Sequence, residues 1–262
     1  MKVTVNGHQS YAFTGSRELD QRKQTVMFVH GASLDHTVWT LPARHFARHG
    51  WNVLAADLPG HGMSDGNPLP EISQYANWLC DLLDAVGVEQ TALVGHSMGS
   101  LVALDCAARH LERIRALTLI GTAVPMPVTD QLLQSALENN HDAIDMLTAW
   151  GHSPAAHFGG HEVPGMWMIG GTMRLFERAR PGTLYNDLNA CNNYTTGIEM
   201  AQRVTCPTMF ILGEHDMLTP KRSALELAKN ISDTEIVVLP KTGHTIMSER
   251  PDALLDALAR IV

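Results

Sequence analysis

The amino-acid sequence predicts an α/β protein: a mostly parallel sheet with helices on both faces and one helical insertion. Three observations carry that prediction. Short apolar runs such as TVMFV, TALV, LTLI and MFIL alternate along the chain with longer stretches at helical spacing. The runs are continuous rather than alternating, as strands covered on both faces require. The alternation breaks once, over residues 125–203, where helix-like pieces follow one another with no clear strand.

The chain opens with MKVTV and HQSYAF, two alternating runs joined by Asn6-Gly7. Both positions of such a turn need positive φ, which Asn and Gly tolerate, so this reads as a hairpin. TVMFVHG follows as a buried strand ending in glycine. A helical pattern over residues 37–49 stops at Gly50, the residue type that ends helices in the left-handed conformation. WNVLAADLPGHGMSDG is a buried strand running into a Gly/Pro loop. Residues 72–86 place Tyr75, Leu79, Leu82, Leu83 and Val86 on one helical face. TALVG and a helix come next, then RALTLIGTAVP. Within the insertion, residues 130–149 and 166–179 read as helices. The sheet resumes with PTMFILGEHD, followed by a helix capped by Thr219 with Pro220 at its first position. The strand TEIVVLP and a last helix over residues 251–262 close the chain. The expected division is a core of residues 1–124 and 204–262, interrupted by a helical cap, or lid, of residues 125–203.

Composition narrows the function classes. With 19 Lys and Arg against 27 Asp and Glu the chain carries a net charge of −8, which argues against a nucleic-acid partner. No run reaches the ~18 apolar residues of a membrane span, and no membrane partner is expected. The N-terminus alternates where a signal peptide would be continuously apolar, so the expected setting is cytoplasmic. Cys80, Cys106, Cys191 and Cys206 contain no CxxC pair and read as reduced, buried thiols. The histidines of GHSPAAHFGGHE, His152, His157 and His161, raise a metal reading. Pro154 and Gly159-Gly160 spoil the helix that would align the last two, and nothing matches HExxH, so neither metal nor cofactor is expected. The sequence favours neither a monomer nor a homodimer.

One corner of the sequence carries chemistry. GHSMG, Gly95 to Gly99, places a serine between a buried strand and a helix. A nucleophile at so sharp a corner sits in strained backbone. Side chains two residues to either side would collide with each other and with neighbouring strands, hence glycine at both. The corner raises Oγ of Ser97 above the carboxyl edge of the sheet, with the positive end of the helix beneath the reacting carbonyl. Serine alone is a poor nucleophile; it needs a base, and a carboxylate to orient that base. Asp216, in the loop after FILG, and His244, in the loop after VVLP, follow Ser97 in the order such an elbow demands. Loops of a parallel sheet emerge at one edge, so the three can converge. The competing readings are local: Asp216 supporting the loop before Thr219, Glu214 serving as the carboxylate, or His244 standing as a solvated loop residue. Two backbone N–H donors for an oxyanion are assigned to Met98, just after the nucleophile, and to Ala32 in FVHGAS. His30 is expected to order its own loop, and DLPGHGMSD to be a structural turn.

With these residues in view, the sequence resembles the α/β-hydrolase fold family in its lipase/esterase-like branch. HGAS, DLPGHGMSD, GHSMGS, GEHDMLTP and GHTIMSERP stand at family-like positions between about residue 25 and residue 251, leaving the cap unmatched. The resemblance implies an α/β-hydrolase fold with an eight-stranded sheet and the first hairpin at one edge. It also implies a catalytic triad: Ser97 as nucleophile, His244 as base, Asp216 as orienting acid. A serine at the elbow departs from the aspartate of dehalogenases and epoxide hydrolases. Esterases, lactonases, cofactor-free perhydrolases and carbon–carbon bond hydrolases share GHSMG, so the motif implies chemistry rather than substrate.

The expected activity is that of a serine hydrolase of carboxylesterase type. It would act through an acyl-enzyme on small to medium uncharged esters, because the cap is apolar and lacks a dense Arg/Lys anchor. A lactonase or a carbon–carbon bond hydrolase of aromatic catabolism is the alternative within the class. A slow-turnover ligand receptor is the alternative outside it. Trp167, Met168 and Met173 in MWMIGGTMRLF, with Phe158, are expected to contact substrate; Arg174, Arg178 and Arg180 are the cap residues that could still meet an acid.

Overall fold

The computed structural model describes residues 1–160, 162–163 and 165–262. Among them eight strands form one sheet: β1 (Lys2–Val5), β2 (His8–Phe13), β3 (Thr25–Val29), β4 (Asn52–Ala56), β5 (Thr91–His96), β6 (Ile114–Ile120), β7 (Thr208–Gly213) and β8 (Thr234–Leu239). Their order across the sheet is β1-β2-β4-β3-β5-β6-β7-β8. β1 turns into β2 through Asn6 (φ +50°) and Gly7 (φ +81°), as the hairpin signal predicts. β2 pairs antiparallel with β4, and every pairing beyond it is parallel.

Alternate strand residues feed two cores, one on each face. Met27 and Val29 of β3 pack with α2 (Ile72–Ala85), α3 (Met98–Arg109) and α10 (Lys221–Ala228). Val26 and Phe28 pack on the other side with α1 (Thr40–Arg48) and α12 (Pro251–Leu258). A 3-10 turn at His36–Trp39 leads into α1, and the short α11 (Ile246–Glu249) precedes α12. Gly50 follows α1 at φ +93°, where the helix was expected to stop.

Among the described residues six helices lie between β6 and β7: α4 (Asp130–Leu137), α5 (Asp142–Gly151), α6 (Pro154–His157), α7 (Met168–Glu177), α8 (Thr183–Asn192) and α9 (Gly197–Arg203). The single helix expected over residues 130–149 is two, because Asn139 takes φ +52° and the Asn140 N–H turns back to Ser135 O. Two sets of buried side chains stand out in this stretch. Leu132, Ala136, Ala143, Leu147 and Leu188 form a cluster of their own. Ala190, Cys191, Tyr194, Met200 and Ala201 join the main core with α3. The packing therefore changes hands within α8, ahead of the expected boundary at Arg203. α9 lies on α3, and the Tyr194 O–H donates to the buried Asp105 of α3 at 3.0 Å.

Cys80, Cys106 and Cys191 are buried free thiols, and Cys206 is half-buried. Among the described residues no helix is long and apolar enough to cross a membrane.

Candidate active site

β5 ends at His96 and α3 begins at Met98, so Ser97 alone makes the corner. It sits at φ +54°, ψ −124°, a conformation costly for any residue with a Cβ. A Cβ at Gly95 would overlap Gly99 O, and one at Gly99 would lie 2.5 Å from His30 O in the loop after β3. The glycine spacing is thus a matter of room: α3 passes over β3 and β5 at backbone contact.

The loops after β7 and β8 deliver a bonded pair. His244 Nδ1 lies 2.8 Å from Asp216 Oδ2, with both side chains almost fully buried. Asp216 Oδ1 also accepts the N–H groups of Leu218 (2.9 Å) and Thr219 (2.8 Å), and Oδ2 accepts the Thr219 hydroxyl at 2.6 Å. Burial alone would raise the Asp216 carboxyl. The His244 imidazole and the Thr219 donors outweigh burial and hold it below the ordinary carboxylate range. An ionised carboxylate only accepts, so Nδ1 of His244 carries the hydrogen of this bond, and Nε2 is the ring nitrogen left for base chemistry. The carboxylate that meets the histidine is Asp216; Glu214 is exposed and accepts the Lys241 N–H at 2.9 Å. Thr219 does not cap α10, whose N-cap is Pro220. The expected cap gives way because the nearby Asp216 carboxylate offers Thr219 a stronger, charge-assisted acceptor.

Elbow and pair meet at Gly121. The Ser97 N–H donates to Ile120 O at 3.0 Å, and a Cβ on the next residue, Gly121, would lie 3.0 Å from His244 Nδ1. From β5, His96 donates its Nε2–H to His244 O at 2.9 Å, with the two rings 4.6 Å apart. Burial, with His244 alongside, drives the pKa of His96 down to about 3, so it is a neutral prop. Gly31, after β3, approaches so closely that a Cβ there would sit 3.1 Å from Ser97 Cβ. The structure thus joins acid and base by a hydrogen bond and sets Ser97 at the same edge. Among the described residues Ser97 Oγ itself makes no hydrogen bond. Such bonds commonly tighten only when substrate arrives.

Among the described residues the two N–H groups assigned to an oxyanion face no competing acceptor. That of Met98 is the first of α3, which helix geometry leaves over. That of Ala32 has no partner among the described residues. His30 orders this loop as expected: Nε2 accepts the Leu58 N–H at 3.1 Å and Nδ1 donates to Gly31 O at 2.8 Å. Burial pushes the pKa of His30 down to about 4.

A cleft of about 350 Å³ opens beside His96, between α1, α7 and the loop after His244. Its walls include Leu34, Val38, Leu41, Leu175 and Met247, and no Asp, Glu, Lys or Arg. Of the residues expected to contact substrate, Trp167 and Met168 line the cleft; Met173 and Phe158 do not. α7 turns Met168, Gly171, Thr172 and Leu175 to the cleft, one helical face, and Met173 falls off that face. Phe158 follows the short α6 and is 90% exposed. The three arginines are engaged: Arg174 with Glu177, Arg178 with Asp35, and Arg180 with the carbonyls of Ser64 and Gly66.

The histidines once weighed for metal serve as local donors, His152 to Thr148 O and His157 to Ala149 O; His161 lies outside the described residues. Asp35, His36 and Asp57 bring ligand atoms within 4.8 Å of one another. Arg178 and Thr37 already engage Asp35, and His36 Nδ1 is turned onto Asp57, so this group orders the DLPGHGMSD turn. Sequence reasoning did not find three supports of the site. These are Thr219 as a partner of Asp216, His96 beneath His244, and Glu249. The buried Glu249 carboxylate accepts the N–H groups of Gly243 and Ser153 and the Thr245 hydroxyl. Glu249 lies inside GHTIMSERP, and that run was the only signal for it.

Sheet order and elbow together define the α/β-hydrolase architecture. The chain belongs to the alpha/beta hydrolase family, whose model matches residues 26–257. It is 28% identical over 250 residues to the pimeloyl-(acyl-carrier protein) methyl ester esterase of Chromobacterium violaceum, covering 89% of this chain and 92% of that one. It is 26% identical over 254 residues to the 2-hydroxy-6-oxononadienedioate/2-hydroxy-6-oxononatrienedioate hydrolase of Comamonas testosteroni, covering 90% and 88%. In fold it is similar to the enol-lactonase of Burkholderia xenovorans, with a TM-score of 0.86, 21% identity and coverage of 99% and 98%.

Proposed function

We propose that this chain is a serine hydrolase that cleaves small to medium uncharged carboxylic esters through an acyl-enzyme intermediate. One observation carries the reading: a 2.8 Å Asp216–His244 bond beside a serine strained at φ +54° on the same sheet edge. Ser97 Oγ attacks the ester carbonyl while His244 Nε2 takes its proton. Asp216 holds the ring and stabilises its charged form. The oxyanion rests on the N–H groups of Ala32 and Met98, donors whose loss typically costs several kcal/mol of barrier. The tetrahedral adduct collapses, the alcohol leaves with the proton from His244, and the acyl group remains on Ser97. Water then attacks the acyl-enzyme as His244 takes its proton, and the carboxylic acid leaves with Ser97 restored.

The insertion acts as the cap over this edge: α4 and α5 share an apolar cluster with Leu188 of α8, Phe176 of α7 packs against it, and the apolar cleft receives one half of the substrate. Uncharged esters fit best because no charged side chain lines the cleft and the nearby arginines are already paired or bonded. The esterase relative at 28% identity supports an ester as substrate. The relative from Comamonas testosteroni favours a second reading, carbon–carbon bond cleavage on the same elbow. A panel of p-nitrophenyl esters, lactones and vinylogous diketones separates these, with Ser97→Ala in parallel. The proposal expects turnover of short and medium p-nitrophenyl esters that falls to background in Ser97→Ala. Preference for the diketones would replace the ester reading, and equal turnover by Ser97→Ala would remove Ser97 from the chemistry.

A further inference from the structure

We propose that Asp187 is a positioning residue for the oxyanion hole: from α8 its carboxylate holds the Ser33 N–H and thereby anchors the loop in which the neighbouring Ala32 presents its own N–H. The inference rests on the hydrolase reading above, in which Ala32 receives the oxyanion.

Asp187 is fully buried, and a buried carboxylate is costly unless donors surround it. Four do. Oδ2 accepts the Ser33 N–H at 2.8 Å and His61 Nε2–H at 2.7 Å. Oδ1 accepts the Tyr75 hydroxyl and the Asn186 side-chain amide, each at 3.2 Å. Ser33 lies in the loop after β3, His61 in the loop after β4 and Tyr75 in α2. One carboxylate from the insertion thus ties three parts of the core together. The partner at His61 is a cation, because its other nitrogen, Nδ1, also faces an acceptor, Pro59 O at 2.9 Å. Burial opposes charge on both groups, yet each stabilises the other: the His61 imidazole is raised and the Asp187 carboxyl lowered from their ordinary values. The pair is therefore a fixed anchor rather than a pliable one.

The loop needs such an anchor. Ser33 has φ +57°, a left-handed conformation that a residue with a side chain holds only when its surroundings enforce it. Its N–H is the hydrogen-bonding group of the peptide that follows Ala32. Without that anchor the Cα of Ala32 could shift, and with it the Ala32 N–H, which belongs to the preceding peptide. Asp187 blocks that shift without touching substrate.

The test uses the full chain with Asp187→Ala and Asp187→Asn. The readouts are kcat and KM on p-nitrophenyl butyrate, active sites counted by fluorophosphonate titration, and inhibition by a trifluoromethyl ketone, whose adduct bears the oxyanion. Asp187→Ala should lower kcat per titrated site about 10- to 100-fold, less than loss of a direct oxyanion donor, with KM nearly unchanged. Ketone affinity should fall by a similar factor. Asp187→Asn keeps an amide oxygen for the Ser33 N–H and should recover most of kcat. If Asp187→Ala does not fold, Asp187→Ser, too short to reach Ser33, replaces it under the same expectations. A lower melting temperature with wild-type kcat per titrated site would overturn the proposal, as would an Asn variant no better than Ala. Either result leaves the hydrolase reading intact, provided the wild type hydrolyses ester and titrates at Ser97. A wild type that does neither defeats that reading, and this proposal with it.

Discussion

Replacing Ser97 by glycine should remove the nucleophile and stabilise the fold at once. Ser97 occupies φ +54°, ψ −124°, backbone that glycine adopts freely and that costs a side-chain-bearing residue about 1–3 kcal/mol. Glycine gives back about 0.5–1 kcal/mol through the greater freedom of its unfolded chain. Ser97→Gly should therefore exceed Ser97→Ala, which keeps the Cβ, by about 1 kcal/mol. At the usual unfolding entropy per residue, 262 residues give about 0.55 kcal/mol/K, so 1 kcal/mol is about 2 °C in Tm. Calorimetric melting of the wild type and both variants, beside hydrolysis of p-nitrophenyl butyrate, reads both effects. Two inactive variants with the glycine form melting higher is the expected result. A glycine form melting about 2 °C below Ser97→Ala would show that the corner is unstrained, and the account of Ser97 as a residue held in costly backbone would lose its basis.

The neutral buried histidines predict acid lability. Above the ordinary histidine value of ~6.5, His30 is neutral in folded and unfolded chains alike and full stability is present. Below it the unfolded chain takes up a proton that the fold refuses until pH reaches about 4, so stability is lost across that window. Between pH 7.5 and 5 His30 alone accounts for about 2 kcal/mol. Urea titrations should show His30→Gln losing about that much less than the wild type, and equal losses would contradict the burial argument. In the cleft, Met168→Ala should shift the preference toward longer acyl chains by about tenfold in relative kcat/KM, while Met173→Ala leaves it unchanged. Matching shifts from both would mean that α7 presents a different face to substrate.

What could be read in the sequence was local, and what could not was a matter of partners. Asn6-Gly7, Gly95 with Gly99, and the order Ser97, Asp216, His244 each follow from backbone geometry within a few residues or from the common edge of a parallel sheet. Thr219 shows the limit: Thr before Pro is a helix-start signal, yet an ionised acceptor three residues earlier outcompetes it. Asp187 sits in TLYNDLNACN, which reads as an ordinary polar helix; Ser33 and Tyr75 lie 154 and 112 residues away. Met168 and Met173 are alike in composition, and only the phase of α7 against the cleft separates them. The packing of the insertion's end was hidden for a similar reason: Met200 and Ala201 look no different from the residues before them, but they bury in the core that includes α3.

The central claim is that a hydroxyl at the β5–α3 corner becomes reactive through His244 and Asp216. Fluorophosphonate labelling followed by peptide mass mapping tests it most directly. The account predicts one adduct per chain, on the peptide containing Ser97, absent in Ser97→Ala and formed far more slowly in His244→Gln. Labelling of Ser97→Ala at the wild-type rate, or an adduct mapped to any other residue, would contradict it.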